Sequence, residues 1–174
     1  MKKTRVMASL GFSLVLASGV YAQHGHDHGH AHGHAASTPA STEKGSNNVS
    51  IEKCWIRLMP YVTPSGGFFE FENKDASQVA VLKGIETDAF GQTMLHRSYT
   101  KDGQAGMEMV HDVVVKPAEK VHFKPGDYHA MLEQPVAGLK VGDQIKVDFI
   151  LGTGDKIPVS CVLKSVNALA FEDK

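Results

Sequence analysis

His129-Ala-Met131 puts an imidazole and a thioether two residues apart, so on a strand both project to one face. Met107, Met109 and His111 share a face by the same parity. A site drawing on His96, the Met107/Met109 pair, His129 and Met131 would offer two imidazoles and one or two thioethers, with no carboxylate and no thiolate. Such a set suits Cu(I). Thioethers bind Mg²⁺, Ca²⁺ or Zn²⁺ poorly, whereas Cu(I) accepts soft sulfur and imidazole together. All these donors are neutral, so the loaded site carries about one positive charge and needs no buried anion. With no thiolate among them, they also survive in an oxidising compartment. Taken singly, a Met is ordinarily core filler and a lone His a surface or hydrogen-bonded residue. What counts here is clustering: of seven Met, four (Met94, Met107, Met109 and Met131) fall in one stretch with His96, His111, His122 and His129.

A second group of potential ligands lies near the N-terminus. His24, His26, His28, His30, His32 and His34 alternate with Gly, Asp and Ala, and such a tract chelates Cu(II), Zn(II) or Ni(II) without needing a fold. Its imidazoles are mostly neutral at pH 7 and release metal below about pH 6. The tract reads as a metal collector feeding the folded site; the competing readings are a solubilising linker or an expression tag, and the interleaved Gly, Asp and Ala count against a tag.

Residues 1–22 read as a secretory signal peptide: Lys2, Lys3 and Arg5, an apolar stretch from Met7 to Val20 diluted by Ser and Gly, and Val20-Tyr21-Ala22 as the cleavage site. The apolar run is short for a membrane anchor, and no Cys lies near the cleavage point to carry lipid, so no stable membrane insertion is expected after cleavage. Cleavage removes three of the 18 basic residues and none of the 19 acidic ones, leaving a balance of −4. With no basic run, nucleic acid is excluded as a partner. The expected compartment is extracytoplasmic.

From Gln23 to Asn48 there is no Val, Ile, Leu, Met, Phe, Tyr or Trp, so residues 23–48 form a His-rich tail and linker that cannot bury a core. Residues 49–171 hold one domain. Nine strands are expected there, at 49–58, 67–72, 79–85, 93–99, 106–115, 120–124, 129–133, 144–151 and 156–164, the last two forming a hairpin around Gly152-Thr-Gly-Asp155. Breaks such as Pro64-Ser-Gly-Gly67, Lys101-Asp-Gly103 and Lys124-Pro-Gly-Asp127 separate others. No stretch keeps a 3.6-residue period over ten or more residues, so the expected class is an all-β antiparallel sandwich.

The intervals between the donors resemble those of the periplasmic copper chaperones called PCu(A)C, whose motif is a His, ten residues, a Met, twenty-one residues, then His-x-Met. His96, Met107, His129 and Met131 reproduce both intervals. Cys54-Trp-Ile-Arg57 resembles the family's early Trp-x-Arg, Ser65-Gly-Gly-Phe-Phe69 its Gly-rich strand start, and Lys124-Pro-Gly-Asp-Tyr-His129 its Pro-Gly-x-x-His turn. The likeness runs over about residues 50–163. Arg97 stands where the motif usually has a second Met. The family's frequent Met-x-Met would make Met109 the ligand instead of Met107, and the intervals leave both open. The resemblance implies a cupredoxin-like Greek-key sandwich that is not an enzyme. It further implies binding of Cu(I) and delivery to a recipient such as the dinuclear copper centre of cytochrome c oxidase subunit II, beside a Sco-like thiol partner.

Cys54 and Cys161 are the only thiols; a disulfide between the first and last strands and two small buried hydrophobes are both open readings. A blue-copper electron carrier needs a His shortly after a Cys ligand, and none follows Cys161. Gly-x-Ser-x-Gly and His-Glu-x-x-His are both absent, which removes the corresponding hydrolases. The serious rival is a metal-buffering protein in which the tail binds and the sandwich docks.

Overall fold

The computed structural model describes residues 48–60 and 62–172. The expected signal peptide, residues 1–22, and the histidines His24 to His34 lie outside the described residues. Ten strands account for the domain: β1 Val49–Arg57, β2 Ser65–Asn73, β3 Ala80–Glu86, β4 Phe90–Lys101, β5 Gln104–Met109, β6 Val113–Val115, β7 Lys120–Phe123, β8 Tyr128–Pro135, β9 Gln144–Leu151 and β10 Lys156–Lys164. No helix among them is long and apolar enough to cross a membrane.

The hydrogen-bonded path runs β5-β4-β8-β2-β1-β10-β9-β3-β6, with β7 pairing the far half of β2. Its two ends, β5 and β6, are consecutive in sequence and joined by Val110, His111 and Asp112. That link spans at most about 14 Å, so the ladder has to curl until its edges meet. It does so around one apolar core to which every strand except β5 contributes a buried side chain, from Ile56 on β1 and Phe71 on β2 to Phe149 on β9 and Leu163 on β10. The outcome is the expected all-β, cupredoxin-like sandwich.

Two details depart from the sequence expectation. The 106–115 segment is two strands: Val110 still donates its N–H to the Leu95 carbonyl, but Val113 pairs with Leu82 on β3, so the chain changes edge at His111-Asp112. And the sandwich is not wholly antiparallel, since β1 runs parallel to β10, Trp55 opposite Val162. A bulge in β1 at Lys53-Cys54, where Lys53 takes φ 50°, lies beside this pairing. There Cys54 meets Cys161 in a disulfide that closes a separation of 107 residues, which decides between the two readings of the cysteines.

Candidate metal centre

β4 is the central strand of the site. It pairs with β5 on one side and β8 on the other, and the registers put His96 opposite both Met109 and His129, Met94 opposite Met131, and Ser98 opposite Met107. Directly opposed residues in an antiparallel ladder project to the same face with Cβ atoms about 5 Å apart. Met94, His96, Met107, Met109, His129 and Met131 therefore share one face. The opposite face of β4 and β8 carries Leu95, Ala130 and Leu132 into the core.

β5 reaches the site through a two-residue turn. Asp102 and Gly103 both have positive φ, 52° and 76°, the combination that matches the twist of a hairpin. On the far face the Tyr99 ring lies across Gly106, where a Cβ would come within 2.5 Å of it. Because β5 gives nothing to the core, Met107 and Met109 remain 50% and 54% exposed. This places two thioethers at the solvent edge of the sheet.

The preceding turn, Lys124 to Asp127, orients His129. Pro125 presets the first central position, Gly126 occupies the second at φ 85°, and the Asp127 N–H donates to the Lys124 carbonyl at 3.1 Å, as a type II turn requires. The Asp127 carbonyl then accepts the Ser98 N–H at 3.2 Å and stands 2.9 Å from His129 Nδ1. A carbonyl can only accept, so in the neutral ring Nδ1 carries the proton and Nε2 keeps the lone pair for a ligand. The ring is 9% exposed and fixed by an outer hydrogen bond of the kind that orients metal-binding imidazoles.

His96 Nδ1 lies 2.9 Å from the Met107 sulfur, its Nε2 is buried without a hydrogen-bond partner, and the two imidazole centroids are 5.9 Å apart at 71°. Burial, and secondarily the nearby His129, pull the His96 pKa below the usual histidine value, with Glu133 opposing. A neutral ring is thus favoured, as coordination requires. A cleft of about 260 Å³ opens beside the group, with Met59, Ser98, Met107, His129 and Met131 in its wall, and Arg57 as well. The guanidinium of Arg57 lies over the Trp55 and Phe68 rings. Among the described residues no three His, Cys, Asp or Glu gather as a harder cation would need.

The structure thus brings together all five donors expected in the folded part, and sets Met107 rather than Met109 against the His96 ring. His111 lies beyond the end of β5, so the strand parity that grouped it with Met107 and Met109 does not reach it. His122, on β7, faces Glu70 at 3.7 Å. The sequence placed Met94 in the cluster but not among the donors, and left out Met59. Met94 carried a signal in its parity with His96, but Met59 carried none, because only folding brings the loop after β1 to this cleft.

The sequence matches the LpqE-like family, whose description names an LpqE-like lipoprotein, over residues 49–163. Solved structures similar in fold include the apo PCuAC domain of PmoF2, at 15% identity, TM-score 0.59, covering 71% of this chain and 94% of that one. The copper-bound PCuAC domain from PmoF2 aligns at 15% identity and TM-score 0.56, covering 68% and 93%. The Cu(I) form of DR1885 from Deinococcus radiodurans aligns at 21% identity and TM-score 0.55, covering 73% and 87%. No curated protein matches the chain.

Proposed function

The chain belongs to the LpqE-like family, a family of PCuAC type, and from that premise we propose that it is an exported Cu(I) carrier. His96, Met107, His129 and Met131 are its ligands, and Met109 lines the site. The observation that carries this is the approach of Met107 Sδ to His96 Nδ1 at 2.9 Å, with His96 directly opposite His129, whose Nε2 lone pair is left free. Two rings and two sulfurs, all uncharged, match a soft monovalent ion. Copper is cargo here, so a site at a solvent-exposed edge serves exchange with another protein, and the carrier needs no catalytic group.

The recipient in this reading is an extracytoplasmic copper centre such as that of cytochrome c oxidase subunit II, with a Sco-like thiol protein alongside. The His24 to His34 tract collects Cu(II) or Zn(II) before the ion reaches the folded site. Six closely spaced imidazoles also favour a second reading, in which the tail buffers metal and the sandwich only docks. Substituting His129→Ala and Met131→Ala in the full chain separates the two. Carriage by the folded site requires each change to weaken Cu(I) binding while Zn(II) uptake stays intact; unchanged Cu(I) affinity in both leaves the buffer.

A further inference from the structure

The face that carries the proposed ligands continues past them. Along the β4–β8 ladder, the row formed by His96 and His129 is followed by Met94 opposite Met131, and then by Gln92 opposite Glu133. Each row lies roughly 7 Å beyond the last, two residues at a strand's rise. The donors therefore change in order from imidazole to thioether to carboxylate. Met94 and Met131 are half-buried. Next to Met131, β2 presents Gly66, over which the Phe68 ring is folded so closely that a Cβ would come within 2.8 Å of it. An aromatic wall thus closes one side of the sulfur pair. The Gln92 amide nitrogen stands 3.9 Å from the Met94 sulfur.

We propose that Met94 and Met131 form a second, sulfur-only Cu(I) position, sharing Met131 with the first and leading the ion from the histidine row towards Glu133. The inference rests on the Cu(I) reading of the His96–His129 site and extends it. Two thioethers on opposed residues can close on one ion, because their Cβ atoms start about 5 Å apart and the unbranched arms are adaptable. Without imidazole this position is the weaker, as a point of departure must be. The Glu133 carboxylate follows on the same face, one row beyond Met131, so a cation held in the Met94–Met131 row lies nearer to it than one held between the histidines. Movement between the positions exchanges one neutral donor set for another, with no electron or proton transferred.

The test is a titration of the full chain, with Ser replacing the six tail histidines, by Ag(I) and then by Cu(I) under anaerobic reduction. The probes are the ¹³C-labelled methionine methyl groups, assigned with single Met→Leu variants. The first equivalent should move the Met107 and Met131 methyls. The second should move Met94 and move Met131 again, and Met94→Leu should abolish the second event while sparing the first. A Met94 methyl that stays in place through two equivalents, while Met107 and Met131 respond, overturns the second position and leaves the first standing. No response at Met107 and Met131 overturns both.

Discussion

The pair Met107→Leu and Met109→Leu provides the sharpest local perturbation of the site. Both side chains are on the one strand that gives nothing to the core, 50% and 54% exposed, and Leu nearly conserves the volume of Met. Neither change should cost more than about 0.5 kcal/mol of stability, a shift of roughly 2 °C in Tm. Metal affinity should separate them. Met107 has its sulfur on the His96 ring, whereas Met109 is paired with His96 through the backbone. Loss of an outer hydrogen bond to a metal ligand typically costs 10–100-fold in affinity. Loss of a ligand should cost at least that, about 1.4–2.7 kcal/mol. Met109→Leu should stay within about threefold of the parent, under 0.7 kcal/mol. Competition against a coloured Cu(I) chelator, on full chains with the tail histidines replaced by Ser, reads both. Equal losses, or a larger one at Met109, would refute the assignment of the ligand from the His96–Met107 contact.

Three more outcomes follow from the same geometry. Replacing Cys54 and Cys161 together by Ala releases a link across 107 residues, which should cost about 4–5 kcal/mol in urea unfolding and leave Cu(I) affinity unchanged; a loss below about 1 kcal/mol would show that the link constrains little. Gly126 sits at φ 85° with nothing near a would-be Cβ, so Gly126→Ala should lose about 1–2 kcal/mol from backbone strain alone, and Gly126→Asn, which tolerates that region, distinctly less; equal losses would exclude the strain. In the metal-free protein the folded state takes up a proton at His96 less readily than the unfolded state. Its contribution is therefore in place above the ordinary histidine pKa of about 6.5 and is lost as pH falls through the lowered value. Urea midpoints measured at pH 7.5 and 6 should fall with acidification, and His96→Gln should flatten that slope; a slope that does not change places its origin elsewhere.

Much of the fold could be read from alternation and punctuation, because strands buried on one face must alternate and the turns must use Gly, Pro and Asp. The β9–β10 hairpin and the 144–151 and 156–164 strands coincide with expectation for that reason. The parallel β1–β10 pairing could not be read, because alternation says which face a strand buries and nothing about its neighbour's direction. Val110-His111-Asp112 looked like strand, since Val110 remains tied to Leu95 and only the competing partner, Leu82 on β3, shows where the chain crosses. The His-Met spacing picked out side chains that share one face because they lie on three adjoining strands, where intervals survive as register. Choosing between Met107 and Met109 needed the third dimension: both have the same parity, and the contact with His96 is set by side-chain direction rather than by backbone pairing.

X-ray absorption at the copper edge of the Cu(I)-loaded full chain, its six tail histidines replaced by Ser, reads the donor atoms themselves. Ligation by His96, Met107, His129 and Met131 should give a first shell of mixed nitrogen and sulfur, with imidazole scattering beyond it, and loss of sulfur amplitude on Met107→Leu. A shell of nitrogen and oxygen alone, or one that Met107→Leu leaves untouched, would contradict it.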